Sequence, residues 1–292
     1  MARSTAQPRR TLEDRVLEQH ARLAEAEEPE EQLQALGQMA AALQTEALAA
    51  AARGEEDEVA LLAWLHARLV GEGLLRCAAG VPESQRESLV AELRRAEVRA
   101  GRAAQAGSPR LATSLRLLEA SARDAAATLE GKPAQLPEPG PPPATGSREL
   151  LRVTVQQSLL VVGEDDPVRR ARHATQVVDT LTHSLGNRAE SADGEDVAWL
   201  GEALAALDRA VKSNLEQVGN DEPDEARKQA AEQVRKQVGA ARQEFQRKLA
   251  QLPPAARERV QRALESKPQK PQFDKPRPKG PRKKDVPLKS RK

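Results

Sequence analysis

A chain of 292 residues with a net charge of +2 is long enough for about two domains with modest cores. Isoleucine and tyrosine are absent, and Trp64, Trp199, Phe245 and Phe273 supply all the aromatics, which excludes a sheet of any size. Ala, Leu, Glu, Gln and Arg dominate instead and lose little freedom in a helix, so the expected fold class is all-α.

Thr11, with Asp14 three residues on, predicts a capped first helix running to about Glu27, with Leu12, Val16, His20 and Leu23 at helical spacing. Pro29 suits the first position of a second helix, where a missing amide costs no hydrogen bond, and Gly54 ends it. Asp57 opens a third helix bearing Leu62, Leu65, Leu69 and Cys77. Within it Gly71 and Gly73 permit a bend or a close helix contact. Gly80 and Pro82 precede a fourth with Leu89, Leu93 and Ala96, and Ser108-Pro109 starts a fifth that Gly131 closes. Residues 132–146 hold six prolines and predict a stiff extended linker. Helices are expected again over 147–162, 167–189, 196–218 and 222–250, followed by a short one ending near Glu265. The helix over 222–250 has apolar spacings closer to bundle packing than to the sustained heptads of a coiled coil.

Residues 15–107 reappear, with drift, at 153–247. Across the central part the offset is 138: Gln19 matches Gln157, Pro29 matches Pro167, Leu43 matches Leu181 and Leu62 matches Leu200. After a three-residue insertion Pro82 falls on Pro223. The pattern predicts two tandemly duplicated antiparallel helical-bundle modules, 11–131 and 147–265, joined by the Pro-rich linker and followed by a disordered Lys/Pro-rich tail, 266–292. That tail holds eleven basic and two acidic side chains, a net of +9. The preceding 265 residues hold 35 basic and 42 acidic, a net of −7, so the body is not a uniformly basic nucleic-acid-binding surface.

No motif unites a nucleophile, a base and oxyanion support. His20, His66, His173 and His183 read as surface or boundary residues, because no histidine position is shared by the two copies and no zinc or di-iron spacing occurs. Acidic clusters at Glu28, Glu55, Asp166 and Asp224 fall at helix starts, where free amides and the dipole favour negative charge; they read as caps. Cys77 stands alone on an apolar stretch and reads as a buried structural thiol. Trp199 reads as core. Trp64, beside the main stripe, is a candidate anchor for a partner. In the tail, Lys275, Arg277, Lys279, Arg282, Lys283 and Lys284 are candidates for contact with a partner surface or phosphate backbone. No metal or cofactor is implied. There is no apolar stretch of signal-peptide or membrane-spanning length, so a cytoplasmic setting without a membrane partner is expected.

The favoured reading is a non-enzymatic interaction or scaffold protein that engages a protein partner through helical faces of both modules. The alternatives are nucleic-acid or polyanion association through the tail and an enzyme built on an all-α bundle. Homo-oligomerisation is compatible with any of these.

Overall fold

A computed structural model describes residues 11–143, 148–189, 198–218 and 224–265; these residues form eleven α-helices and no strand. Helix α1 (Leu12–Glu25) starts where the Thr11 hydroxyl accepts the Asp14 amide at 3.2 Å. Helix α2 (Pro29–Arg53) has its proline in the first turn and stops at Gly54, whose φ of 77° is open to a residue without a Cβ. Helix α3 (Glu56–Arg68) runs through a π-helical turn, Leu69–Leu74, into the short α4 (Leu75–Ala78). Helices α5 (Glu83–Ala106) and α6 (Pro109–Leu129) follow, the latter capped by Ser108, whose hydroxyl accepts the Leu111 amide at 3.4 Å.

After the prolines come α7 (Glu149–Val161), α8 (Pro167–Ala189), α9 (Ala198–Glu216), α10 (Glu225–Gln251) and α11 (Pro254–Glu265). Asp166 and Asp224 act as caps, accepting the Val168 amide at 3.0 Å and the Ala226 amide at 2.9 Å. Glu28 and Glu55 occupy the corresponding positions before α2 and α3 without a side-chain capping bond. The expectation that acids cap helices therefore holds for the two aspartates, whose short side chains reach the free amides.

Chain neighbours pack in order: α1 on α2, α2 on α3, then α7 on α8 and α8 on α9. Helix α6 lies against α3 and α5, and α11 lies against α9. The halves meet through their first helices. Helix α1 touches α7 and reaches over to α9, while α7 packs on the π turn. Leu17, Ala21 and Ala24 of the early part are buried among later helices. Val155, Leu159 and Val162, each 138 residues further on, are buried among early ones.

Two polar contacts cross in the same reciprocal way. The Asn214 amide donates to the Ala24 carbonyl at 2.7 Å, and Arg76 donates to the Val162 carbonyl at 3.3 Å. Both donor positions and both acceptor positions are 138 apart. Arg148, just before α7, also ties the halves, pairing with Glu13 and lying 2.9 Å from Glu58. Gly73 lets the helices approach closely at this junction: a Cβ there would lie 3.1 Å from Leu159 Cδ2, which would have to shift.

Candidate interaction surfaces

Helices α2 and α5 run alongside one another and leave a half-open groove of about 640 Å³ between them. Its lining extends over fourteen residue steps on each helix, from Glu30 to Gln44 and from Gln85 to Arg99, about 21 Å at 1.5 Å per residue. The apolar stripes of the two helices supply Leu33, Ala40, Leu89, Leu93 and Ala96, with His66 from α3 also in the lining. Glu30 and Glu31 stand at one end and Arg95 and Arg99 at the other, so the ends carry opposite charge. The Arg end is closed by a bridge: Gln44 donates to the Ala96 carbonyl at 2.8 Å and accepts from Arg99 at 3.2 Å. Gly37 lines the middle, and a Cβ there would meet nothing within 4 Å. A trough of this size with an apolar base and polar rims suits a row of side chains from another element.

A second groove of about 540 Å³ lies between α9 and α10. Val211, Leu215, Val238 and Gly239 supply its apolar lining, and Asp208, Lys212, Arg235 and Arg242 are among its charged residues. Asp208 accepts from Arg242 at 2.7 Å; burial nonetheless raises the carboxyl above its usual pKa, the arginine opposing the shift.

Trp64 is half-buried rather than free. Its indole N–H donates to the Gly140 carbonyl at 2.8 Å, and Arg68 lies 5.1 Å from the ring centroid. The proline-rich segment thus runs across the tryptophan, with Leu136 packed on the core beside it. Trp199 is buried, as its apolar setting implies. The six basic tail residues from Lys275 to Lys284 lie outside the described residues.

The histidines correct the sequence reading, which puts them at the surface or boundary: His20 and His66 are interior. Each donates through Nδ1 to a serine, His20 to Ser158 at 2.9 Å and His66 to Ser121 at 3.3 Å. Those hydroxyls donate to Thr154 and Leu118 carbonyls, leaving their oxygens as acceptors and fixing the Nδ1–H tautomer. His20 Nε2 is buried without a hydrogen-bond partner. Burial lowers the imidazole pKa to about 3 at His20, helped by nearby His173, and to about 4 at His66. Both rings are therefore neutral at pH 7.

Cys77 is buried, donates to Gln32 Oε1 at 3.7 Å, and has its thiol pushed up to about 11 by burial. Among the described residues no three His, Cys, Asp or Glu side chains gather where they would hold a metal ion, and no helix is long and apolar enough to cross a membrane.

The grooves were not visible in the sequence, because each lining residue belongs to an ordinary amphipathic helix. Their one local signal is an interior helical glycine, Gly37 in the first and Gly239 in the second, at a position with no close neighbour. Comparison with known proteins finds no matching family model, no similar curated protein and no similar solved structure.

Proposed function

We propose that this chain is a non-enzymatic interaction protein that holds helical segments of partner proteins in grooves between its own helices. The observation that carries the reading is the α2–α5 groove, about 640 Å³, apolar at its base and oppositely charged at its ends. A helix running antiparallel to α2 and α5 brings its N-terminal turn to Arg95 and Arg99 and its C-terminal turn to Glu30 and Glu31. Helices favour acids in the first turn and bases in the last, so this direction matches the charge of both ends.

The architecture belongs to the same reading. We infer that two copies of one helical unit, 11–131 and 147–265, fold back on each other as an internal pair about α1 and α7. Support comes from the 138-residue sequence echo, the reciprocal burial of Leu17 with Val155 and Ala21 with Leu159, and the paired bonds of Arg76 and Asn214. Residues 132–146 join the units.

The test is capture of protein partners from lysate by the full chain and by Gly37→Trp, with nuclease present and at two salt concentrations. The substituted indole enters the groove from a position with no close neighbour, and helix propensity favours it over glycine. A protein held by the wild-type chain at both salt concentrations and lost in the variant is the expected result. Equal capture by both chains removes the groove from the account.

A second reading has its own observation. Residues 225–265 hold ten basic and five acidic side chains and lead directly into the +9 tail, and Lys236 and Arg247 on α10 are exposed. On this reading residues 225–292 associate with a polyanion, and binding collapses with rising salt or with removal of residues 266–292.

A further inference from the structure

The early half of the chain fills a channel that the late half fills only in part. In the early half, α6 lies in the channel between the α3–α4 rod and α5. Arg94 of α5 pairs with Glu130 just past α6 at 2.9 Å, and Gly101 sits where an added Cβ would come within 2.9 Å of Glu119. Helix α6 buries Leu111, Leu115 and Leu118 together with the small Ala112, Ser121, Ala122, Ala125 and Ala126.

In the late half, the offsets of 138 and 141 put α9 in place of the rod and α10 in place of α5. Helix α11 packs on α9 but barely meets α10, and it ends at Glu265. The groove between α9 and α10, lined over 208–216 and 235–242, is the counterpart of the part of the α6 channel that α11 leaves unfilled. Arg235 and Arg242 on its α10 side stand at the positions of Arg94 and Gly101, the two residues that meet Glu130 and Glu119. The sequence after Glu265 carries Pro268 and Pro271, which a helix interior does not accept. Its net positive charge also repels Arg235, Arg242 and Lys212.

We infer that the α9–α10 groove seats a helix from a partner protein, running antiparallel to α10, with an apolar stripe of mixed leucine and alanine size and two acidic side chains about three turns apart. The spacing copies Glu119 and Glu130, eleven residues and about 16 Å along a helix. The acids face Arg242 and Arg235. Asp208 Oδ1, buried without a hydrogen-bond partner, takes a donor such as a hydroxyl on the arriving helix. The far rim differs from the template: Lys212 and Glu216, 74% and 68% exposed on their side chains, replace the buried Leu74 and Ala78. The occupant's outer flank is therefore charged where that of α6 is apolar. The inference rests on the helix-binding reading but concerns a separate groove.

The probe is a labelled, end-capped peptide of residues 114–131 of this chain, titrated with the full-length protein and followed by fluorescence anisotropy. Saturable one-to-one binding is expected, weakened about tenfold or more by Gly239→Leu and likewise by Arg235→Glu. A Cβ at position 239 meets nothing within 4 Å and leucine is the better helix former, so the first variant keeps the fold, which circular dichroism checks. No saturable binding overturns the inference, as does an affinity unchanged in Gly239→Leu, which would mean exchange with α6 in the early half. Tighter binding after deletion of residues 266–292 also overturns it, since the tail would then be the occupant. If the peptide fails while Gly37→Trp still abolishes partner capture, this inference falls and the α2–α5 reading stands.

Discussion

At the scale of residues, the interior histidines make stability depend on pH in a defined direction. Their folded-state pKa values, about 3 for His20 and about 4 for His66, lie below the ordinary 6.5. The unfolded chain takes up protons as pH falls through 6.5 while the folded chain does not. The histidine contribution is therefore intact above pH 6.5 and lost progressively as pH falls toward 4, at up to about 1.4 kcal/mol per pH unit for each ring. Denaturant unfolding at pH 7 and pH 5 checks this: the double variant His20→Gln, His66→Gln should lose less stability over that interval than the wild type. Equal losses would show that the rings do not titrate as described. The burial of these histidines was not legible beforehand. The 138-residue offset sets His20 over Ser158, and the two residues touch, but sequence equivalence carries no information about contact. Cys77 was legible because its neighbourhood, LLRCAA, is apolar apart from Arg76.

At the scale of elements, helix boundaries follow local chemistry closely. Pro29, Gly54 and Ser108 begin or end helices for reasons internal to a few residues, and each lies where its backbone preference requires. The π turn at Leu69–Leu74 lies beyond that reasoning. Gly71 and Gly73 signal a bend or a close approach, but the need for it comes from α7, far along the chain. The two glycines should respond differently to substitution. A Cβ at Gly73 crowds Leu159 at 3.1 Å and Leu36 at 3.5 Å, so Gly73→Val should cost about 1–3 kcal/mol through overpacking. A Cβ at Gly71 meets only Leu136 at 3.8 Å, so Gly71→Ala should be neutral or stabilising by up to about 1 kcal/mol. Thermal melts of the two variants check the contrast; equal destabilisation would mean that contact with Leu159 does not set the requirement.

At the scale of the whole molecule, the apolar stripe read along the first helix, Leu12, Val16 and Leu23, names buried residues but neither Leu17 beside it nor what buries any of them. Leu17 and Val155 are apolar positions on first helices, and nothing local says that each enters the core of the other half. That exchange bears on how the chain behaves when cut. A protease site placed within residues 137–143 should give two fragments that co-elute in size-exclusion chromatography under native conditions, because α1 and α7 carry the contact rather than the linker. Separation of the fragments would contradict the interlocked account. Leu17→Ala, which removes a buried contact from the opposite half, should destabilise by about 2–5 kcal/mol and promote that separation.

On the proposed function, partners are held on helical grooves of the body, and amide hydrogen exchange of the full chain with and without its captured partner tests this most directly. Groove binding predicts protection concentrated in α2 over residues 30–44 and α5 over residues 85–99, retained when residues 266–292 are removed. Protection confined to residues 225–292, or abolished with the tail, would contradict it and leave polyanion association as the better reading.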